Sequence, residues 1–241
     1  MNSVNSNINI LGGYKKLGSS PDLMTEIDSL SIERTVSSQK RYQKAMKEVF
    51  LHFEEEQLKA LFMAAMESSV LSDEVKHRAM ALQFYSNDNL FHLLFNQCFL
   101  PIFKSGRMSI NKHDVIAFLD EQIQLSLINV DWSRETIDTV SRKYLTILKK
   151  LGFLDGKVKK TIKEPFTSFE FLIFFHFWLN AAGENSNVFK SACFPFLMLS
   201  KEKYQFLMKQ PEIREKLDWQ FTGDKFIVDY KISLGEYIHE L

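Results

Sequence analysis

The chain has 241 residues, and 30 Lys and Arg against 30 Asp and Glu give it a formal charge of zero. This balance excludes a chain that is basic throughout and would bind nucleic acid or acidic lipid over its whole surface. A hydrophobic content of 45% excludes an unfolded acidic chain, and 22 Phe with only 9 Gly and 5 Pro favour a mainly helical fold with a Phe-packed interior.

The N-terminal half of the sequence predicts a loosely ordered arm followed by a helical bundle. Residues 1–30 are rich in Asn, Ser and turn-forming Gly, whereas apolar residues recur at helical spacing through 31–128. The spacing predicts helices over 37–53, 58–66, 73–85 and 90–103, with a break at 86–89. Ser109 or Asn111 is expected to cap a further helix that extends through Ile123.

Residues 129–164 form the segment with the clearest pattern. A single apolar stripe predicts a helix over 134–150, and Gly152 is the expected stop signal after it. The next six residues, 153–158, predict a strand, an Asp-Gly turn at Asp155 and Gly156, and a returning strand. A helix followed by Gly and a short hairpin is typical of the end of a winged-helix module, so we expect a winged-helix-like unit here.

Charge is distributed unevenly along this neutral chain. Residues 134–163 contain nine basic and three acidic residues, a net charge of +6, which leaves −6 on the remainder. A second segment, 34–47, contains five basic residues and no acidic one. Such local fields attract phosphate backbones, although Lys and Arg also commonly solvate the outer face of an amphipathic helix.

Helical geometry assigns roles to these side chains in a nucleic-acid-binding hypothesis. The face opposite the apolar stripe is predicted to meet a groove through Thr139, Arg142, Lys143 and Thr146. The hairpin is predicted to touch phosphates through Lys157, Lys159 and Lys160. The remaining candidates for nucleic-acid binding are Arg134, Lys149, Lys150, Lys163, Lys40, Arg41, Lys44 and Lys47. The link over 124–131 argues against a tight helix-turn-helix, since it exceeds the ~3–4 residues usual in that motif.

The C-terminal segment, 165–241, predicts a Phe-rich core helix followed by a small mixed α/β part. The apolar run around His176 is too short and too polar at its edges for a membrane span, which needs ~20 apolar residues. Helices are expected over 201–208 and 211–217, and a strand is expected over 225–230. Cys98 and Cys193 lie in apolar stretches, without disulfide or zinc spacing, as expected in a reducing cytoplasm.

No pattern in the sequence makes a case for catalysis, a metal or a cofactor. The six His residues are scattered, and phosphate-binding loops, nucleophile elbows and dinucleotide fingerprints are absent. His113 and Asp114 stand at a predicted helix start, where a capping role is favoured over a catalytic pair. We therefore expect a protein that is not an enzyme.

The most distinctive block of the sequence is WSRETI at 132–137 followed by YLTILKKLGFL at 144–154. This block resembles the BrxA family, whose members are small accessory components of bacteriophage-exclusion (BREX) defence systems. Softer similarities are TVSSQKR at 35–41, where Ser38 replaces the usual Thr, and SINKHDVIAFL at 109–119. LSKE at 199–202 and LGEYI at 234–238 resemble the family's C-terminal pattern, whereas the N-terminal arm matches poorly.

The resemblance implies a mainly helical, cytoplasmic protein without enzymatic activity, likened to an RNA-binding antitermination factor and thought to bind DNA. It also implies other BREX subunits as partners. Members have been labelled inner-membrane proteins, but the periodicity here disfavours a membrane. Two alternatives stay open at this point: a scaffold that binds partner subunits through an exposed apolar patch, formed by Phe of 169–179 or by the C-terminal part, and an RNA-binding protein.

Overall fold

A computed structural model describes residues 36–156, 159–184 and 186–241. The predicted N-terminal arm, 1–30, lies outside the described residues, as does Lys157. Within the described part the protein is mainly helical and carries two small antiparallel hairpins, so the predicted fold class is confirmed at that level.

The first part of the described chain is a helical bundle. Its helices are α1 (Val36–Phe50), α2 (Glu56–Glu67), α3 (Asp73–Asn87), α4 (Asn89–Leu94), α5 (Leu100–Lys104) and α6 (Lys112–Gln124). A π-helical turn, Phe95–Phe99, joins α4 and α5 into one continuous helix. The predicted break at 86–89 narrows to Asp88, whose Oδ1 accepts a hydrogen bond of 2.7 Å from the N–H of Phe91 and caps α4.

Helix α7 (Arg134–Lys150) follows the bundle and has the bounds that its periodicity predicts. Ser133 caps it by accepting a hydrogen bond of 3.2 Å from the N–H of Thr136. Strands β1 (Leu154–Asp155) and β2 (Thr161–Ile162) then form the first hairpin.

The predicted two-residue Asp-Gly turn is wrong. Leu154 pairs with Ile162 and Asp155 pairs with Thr161, so residues 156–160 connect the strands. A turn at Asp155 and Gly156 would have paired Leu154 with Lys157 on one face of the hairpin. The observed register instead places two buried apolar side chains, Leu154 and Ile162, side by side, because burial of apolar surface outweighs local turn preference.

Residues 108–110 add a third extended segment to this hairpin, which the sequence pattern did not predict. Ser109 bridges to Thr161, and the N–H of Ile110 donates to the carbonyl of Lys160 at 3.2 Å. The N–H of Ile162 donates to the carbonyl of Met108 at 3.0 Å. The entry to α6 is therefore attached to the hairpin that follows α7.

The C-terminal part surrounds the Phe-rich helix α8 (Phe169–Ala181), which is followed by two 3₁₀ turns, Val188–Lys190 and Phe194–Leu197. The remaining elements are α9 (Lys201–Met208), α10 (Pro211–Arg214), β3 (Leu217–Thr222), β4 (Lys225–Tyr230) and α11 (Leu234–Glu240). The helix predicted over 211–217 ends at Arg214, and β3 was not predicted. Leu217, Trp219 and Phe221 alternate with polar residues, and Thr222 pairs with Lys225 across a turn, so hairpin pairing determines this structure.

Helix α8 forms the centre of the core. It packs against α2, α3, α10 and α11, and ten of its thirteen residues are buried, as expected of a helix that is apolar on every side. Its Glu170 accepts hydrogen bonds from the backbone N–H and the hydroxyl of Ser72, the N-cap of α3. Among the described residues, no helix combines the length and the apolarity that crossing a membrane requires.

Candidate nucleic-acid interface

Helix α7 separates a buried face from an exposed face, as its sequence predicts. The buried residues are Ile137, Val140, Ser141, Tyr144, Leu145, Ile147 and Leu148. Of the predicted groove-facing residues, Arg142 and Thr146 are exposed, and Thr139 and Lys143 are half-buried. These four side chains therefore lie on one solvent-accessible side of α7, where a nucleic acid could reach them.

Arg142 is held by neighbours on its own helix. Its Nε donates to Oδ2 of Asp138 at 2.9 Å, and its Nη2 donates to Oγ1 of Thr139 at 3.2 Å. The other carboxylate oxygen of Asp138 accepts a hydrogen bond of 2.5 Å from Nζ of Lys112, at the start of α6. The hydrogen bond from Lys112 and the charge of Arg142 hold the pKa of Asp138 below its ordinary value, so this carboxylate is ionised near neutral pH.

A second ion pair joins α6 and α7. Nη1 of Arg134 lies 2.6 Å from Oδ2 of Asp120, and the pair is partly exposed. Together with the contact between Lys112 and Asp138, it connects the two helices at two separate points. These contacts fix how α7 crosses α6, although exposed pairs of this kind contribute only about 0–1 kcal/mol to stability.

Thr146 and Lys149 are engaged in hydrogen bonds within the unit. The hydroxyl of Thr146 donates to the carbonyl of Arg142 at 3.0 Å, as Ser and Thr commonly do within helices. Nζ of Lys149 donates to the carbonyl of Gly156 at 2.8 Å, and Nζ of Lys160 reaches the same carbonyl at 3.2 Å. The end of α7 is therefore tied to the loop of the hairpin, so both elements form one basic surface.

Gly156 is required in this loop for a steric reason. Its φ is +89°, in the left-handed region, and a Cβ there would lie 2.1 Å from the carbonyl oxygen of Lys159. Lys159 is exposed within the loop, Lys163 is exposed just after β2, and Lys150 is exposed at the end of α7. The predicted phosphate contact Lys157 lies outside the described residues, so the hairpin presents at least Lys159 and Lys163 to solvent.

The second basic segment lies on α1. Lys40 and Lys44 are exposed, Lys44 pairs with Glu48 at 3.7 Å, and Lys47 is half-buried. Arg41 lies in α1, but the structure describes nothing of its side chain.

Helix α3 contacts both helices that carry the basic segments. It contacts α1 through Gln83 and Asn87, whose side-chain amides donate to carbonyls at the end of α1 and just beyond it. It contacts α7 through His77, which hydrogen-bonds the backbone of Lys150. Within the described residues, the main packing partner of α1 is α3, which therefore connects the two helices that carry the basic segments.

Two basic residues near the unit were missed by a charge count restricted to 134–163. Lys112 contacts Asp138 directly, and Arg107 binds both carboxylate oxygens of Asp114 at 3.0 Å. Asp114 also closes a capping box with Asn111, which confirms the capping role and selects Asn111 over Ser109. Counting back to the start of α6 would have found both, because 104–112 contains three basic residues and no acidic one.

Two clefts elsewhere carry no activated nucleophile among the described residues. One, of about 240 Å³, is lined by His52, Glu54, Ser86, His92, Glu184 and Cys193, and the other, of about 210 Å³, is mostly apolar. Burial raises the pKa of Cys193 to about 12, and burial likewise raises that of Cys98 to about 12, so both thiols stay protonated near neutral pH. No cluster of three or more potential metal ligands occurs in the described part of the chain.

The sequence of this chain matches the model of a known protein family. A family model described as BrxA matches residues 34–176, which is more than half of the chain. The match includes the bundle, α7, the first hairpin and the first half of α8, and it stops before the C-terminal segments 199–202 and 234–238. No curated protein and no solved structure matches the chain significantly.

Proposed function

The chain belongs to the BrxA family, and from this membership we propose that it is a DNA-binding accessory component of a BREX anti-phage defence system. The family indicates a BREX-associated protein. DNA binding, a cytoplasmic location and the absence of enzymatic activity are parts of the proposal, and so are contacts with other BREX subunits.

One observation supports DNA binding above the others: α7 presents a face of Thr, Arg and Lys, tied to a hairpin whose exposed side chains are also basic. Arg142 and Thr146 are exposed on that face, and Lys159 and Lys163 are exposed on the hairpin. Arg suits base edges and phosphates, whereas Lys suits phosphates. A single surface of this composition fits a duplex with its groove against α7 and its backbone against the hairpin.

The order of elements supports a winged-helix-like reading of this unit. A long helix over 89–104 is followed by the extended segment 108–110, helices α6 and α7, and the hairpin β1–β2. In winged-helix proteins the short strand before the second helix pairs with the last strand of the wing, as Ser109 pairs with Thr161 here. The link between α6 and α7, 125–133, is longer than in a tight helix-turn-helix.

The experiment that tests the proposal measures binding of duplex DNA by fluorescence anisotropy over a range of salt concentrations. We expect affinity to fall steeply with salt, by about 0.9 units of log K per unit of log salt for each phosphate contact. Arg142→Ala combined with Lys143→Ala should weaken binding and make this slope shallower. Lys209→Ala combined with Lys225→Ala, which removes two exposed lysines outside the unit, is the matched control and should change little. Equal affinity of both double variants would contradict the assigned face.

The same purified protein also tests the two alternative functions, a scaffold for partner subunits and an RNA-binding protein. The scaffold hypothesis gains little support from 169–179, since Phe169 is half-buried and the other Phe residues of this segment are buried. In the C-terminal part, however, Phe206 and Phe221 are 64% and 46% exposed. Partner subunits retained after nuclease treatment, with no DNA binding, would favour the scaffold. Tighter binding of an RNA of the same sequence would favour the RNA-binding alternative.

A further inference from the structure

Asp138 holds two cations at once on the accessible side of α7. Its Oδ1 lies 2.5 Å from Nζ of Lys112, and its Oδ2 lies 2.9 Å from Nε of Arg142. Lys112 belongs to α6, whereas Arg142 is one turn along α7 from Asp138. The contact from α6 therefore fixes the carboxylate against which Arg142 rests.

The guanidinium of Arg142 uses one edge for these contacts. Its Nε–H meets Asp138, and its Nη2, on the same edge of the planar group, donates to Oγ1 of Thr139 at 3.2 Å. Nη1 makes no hydrogen bond to any residue that the structure describes, and the side chain is 62% exposed. The other edge, formed by Nη1 and the second hydrogen of Nη2, thus keeps two parallel donors for an external partner.

We propose that Asp138 is a positioning residue that orients Arg142 to read a guanine in the major groove of duplex DNA. The inference rests on the proposed DNA-binding function. Guanine presents O6 and N7 as paired acceptors on its major-groove edge, which match the two parallel donors of an arginine fork. A phosphate can also accept two parallel donors, but phosphates are the same at every base pair, so only a base contact makes binding depend on sequence.

Physical considerations favour positioning over a stabilising role for Asp138. Ion pairs as exposed as this one contribute little to the folding free energy, because water screens them and the side chains lose entropy. An arginine that is already ordered, however, loses less conformational freedom when it binds, so more of its interaction appears as affinity for the correct base. Asp138 carries a negative charge at the proposed interface, but its two cationic partners offset that charge.

The test compares sequence discrimination among variants of the full chain. Binding is selected first from a random-sequence duplex library, and each G·C pair of the preferred site is then replaced singly by A·T. For the wild type we expect one G·C pair whose replacement weakens binding on the order of tenfold, as for one bidentate contact. Asp138→Asn and Arg142→Lys should both abolish discrimination at that pair. Arg142→Lys keeps the positive charge and so should retain the salt dependence of binding.

Glu135→Gln is the matched control, since Glu135 is an exposed acid in the first turn of the same helix. It should raise affinity for all sequences slightly and leave the discrimination intact. If Asp138→Asn proves unstable in thermal melting, Arg142→Lys and Lys112→Met carry the test, because Lys112→Met loosens Asp138 without touching Arg142.

Other outcomes overturn the inference in ways that can be told apart. If the wild type binds DNA but Asp138→Asn and Glu135→Gln behave alike, Asp138 acts only through its charge. If Arg142→Ala weakens binding to all sequences equally and leaves the preferred site unchanged, Arg142 contacts a phosphate. If the wild type binds no DNA at any salt concentration, the proposed function itself fails.

Discussion

In the core of the C-terminal part, the hydroxyl of Tyr204 lies 2.9 Å from Nε2 of His176, and neither side chain is exposed. Nδ1 of His176 has no hydrogen-bond partner among the described residues, and burial lowers the pKa of His176 to about 3. The imidazole is therefore neutral in the folded protein throughout the ordinary pH range, and its charging is coupled to unfolding.

This coupling predicts acid sensitivity. In the unfolded chain His176 binds a proton below its ordinary pKa of 6.5, whereas in the folded protein it stays neutral down to about pH 3. The free energy of unfolding therefore decreases as the pH falls from 6.5 towards 3. The slope attributable to His176 is up to about 1.4 kcal/mol per pH unit. Urea unfolding between about pH 7 and pH 5, before most carboxylates titrate, measures it. His176→Phe combined with Tyr204→Phe should flatten the dependence, and an unchanged slope would show that other groups cause it.

Tyr144 on α7 should tolerate the loss of its hydroxyl. The side chain is buried, and its oxygen has no hydrogen-bond partner within the described structure. Because an unsatisfied buried hydroxyl costs free energy, Tyr144→Phe should leave stability unchanged or raise it by up to about 1 kcal/mol. Tyr85→Phe is the control, since the Tyr85 hydroxyl donates to the carbonyl of Ala192 at 2.9 Å. This substitution should lower the free energy of unfolding by about 1–2 kcal/mol. If chemical denaturation shows that Tyr144→Phe and Tyr85→Phe are destabilised equally, the prediction is wrong.

Gly156 and Gly152 form a second matched pair. Both adopt positive φ, but only at Gly156 would a Cβ collide with backbone, whereas the space beside Gly152 is open. Gly152→Ala should lower the free energy of unfolding by about 1 kcal/mol through backbone strain alone. Gly156→Ala should lower it further, by about 1–3 kcal/mol, because its Cβ also collides with backbone. Thermal unfolding gives the ranking. Gly156→Ala should also weaken DNA binding through the displaced hairpin loop, and an equal effect of both variants on binding would argue against a role for that loop.

The cap of α6 provides a test of local structure. Asn111 Oδ1 accepts from the N–H groups of His113 and Asp114, whereas Ser109 lies in the extended segment beside Thr161. Asn111→Ala should therefore lower the free energy of unfolding by about 1 kcal/mol, and Ser109→Ala should change it by less than half of that. The reverse ranking in denaturant titrations would mean that the helix starts earlier than described.

Helical periodicity predicted those elements whose apolar residues lie along one stripe. The bounds expected for 134–150 and 201–208 agree with α7 and α9, and Asp73 begins α3 as expected. The rotation of α7 was also predictable, since Arg142 and Thr146 stand opposite Tyr144 and Leu148 on any regular helix. The bounds of these helices and the rotation of α7 depend only on the spacing of nearby residues, so the sequence alone predicts them.

Features that depend on contacts between distant segments were not predictable in this way. The register of β1 and β2 is decided by burial of Leu154 beside Ile162, which overrides the Asp-Gly turn signal. The pairing of Ser109 with Thr161 and the contact of Lys112 with Asp138 join residues far apart in the chain. A charge count found the basic unit, but it could not reveal that an acidic residue organises its central arginine.

The position of α8 has a consequence for how this protein can vary. The family match ends at residue 176, inside α8, yet this helix contacts α2 and α3, which lie within the matched segment, and α10 and α11, which lie beyond it. Its side chains must therefore remain compatible with partners from within and beyond the matched segment at the same time. A chimera that joined residues 34–176 to the C-terminal part of another relative would cut the core in two, and would need compensating changes on both sides of the junction. The matched segment alone would leave the α8 side chains that contact α10 and α11 without these partners.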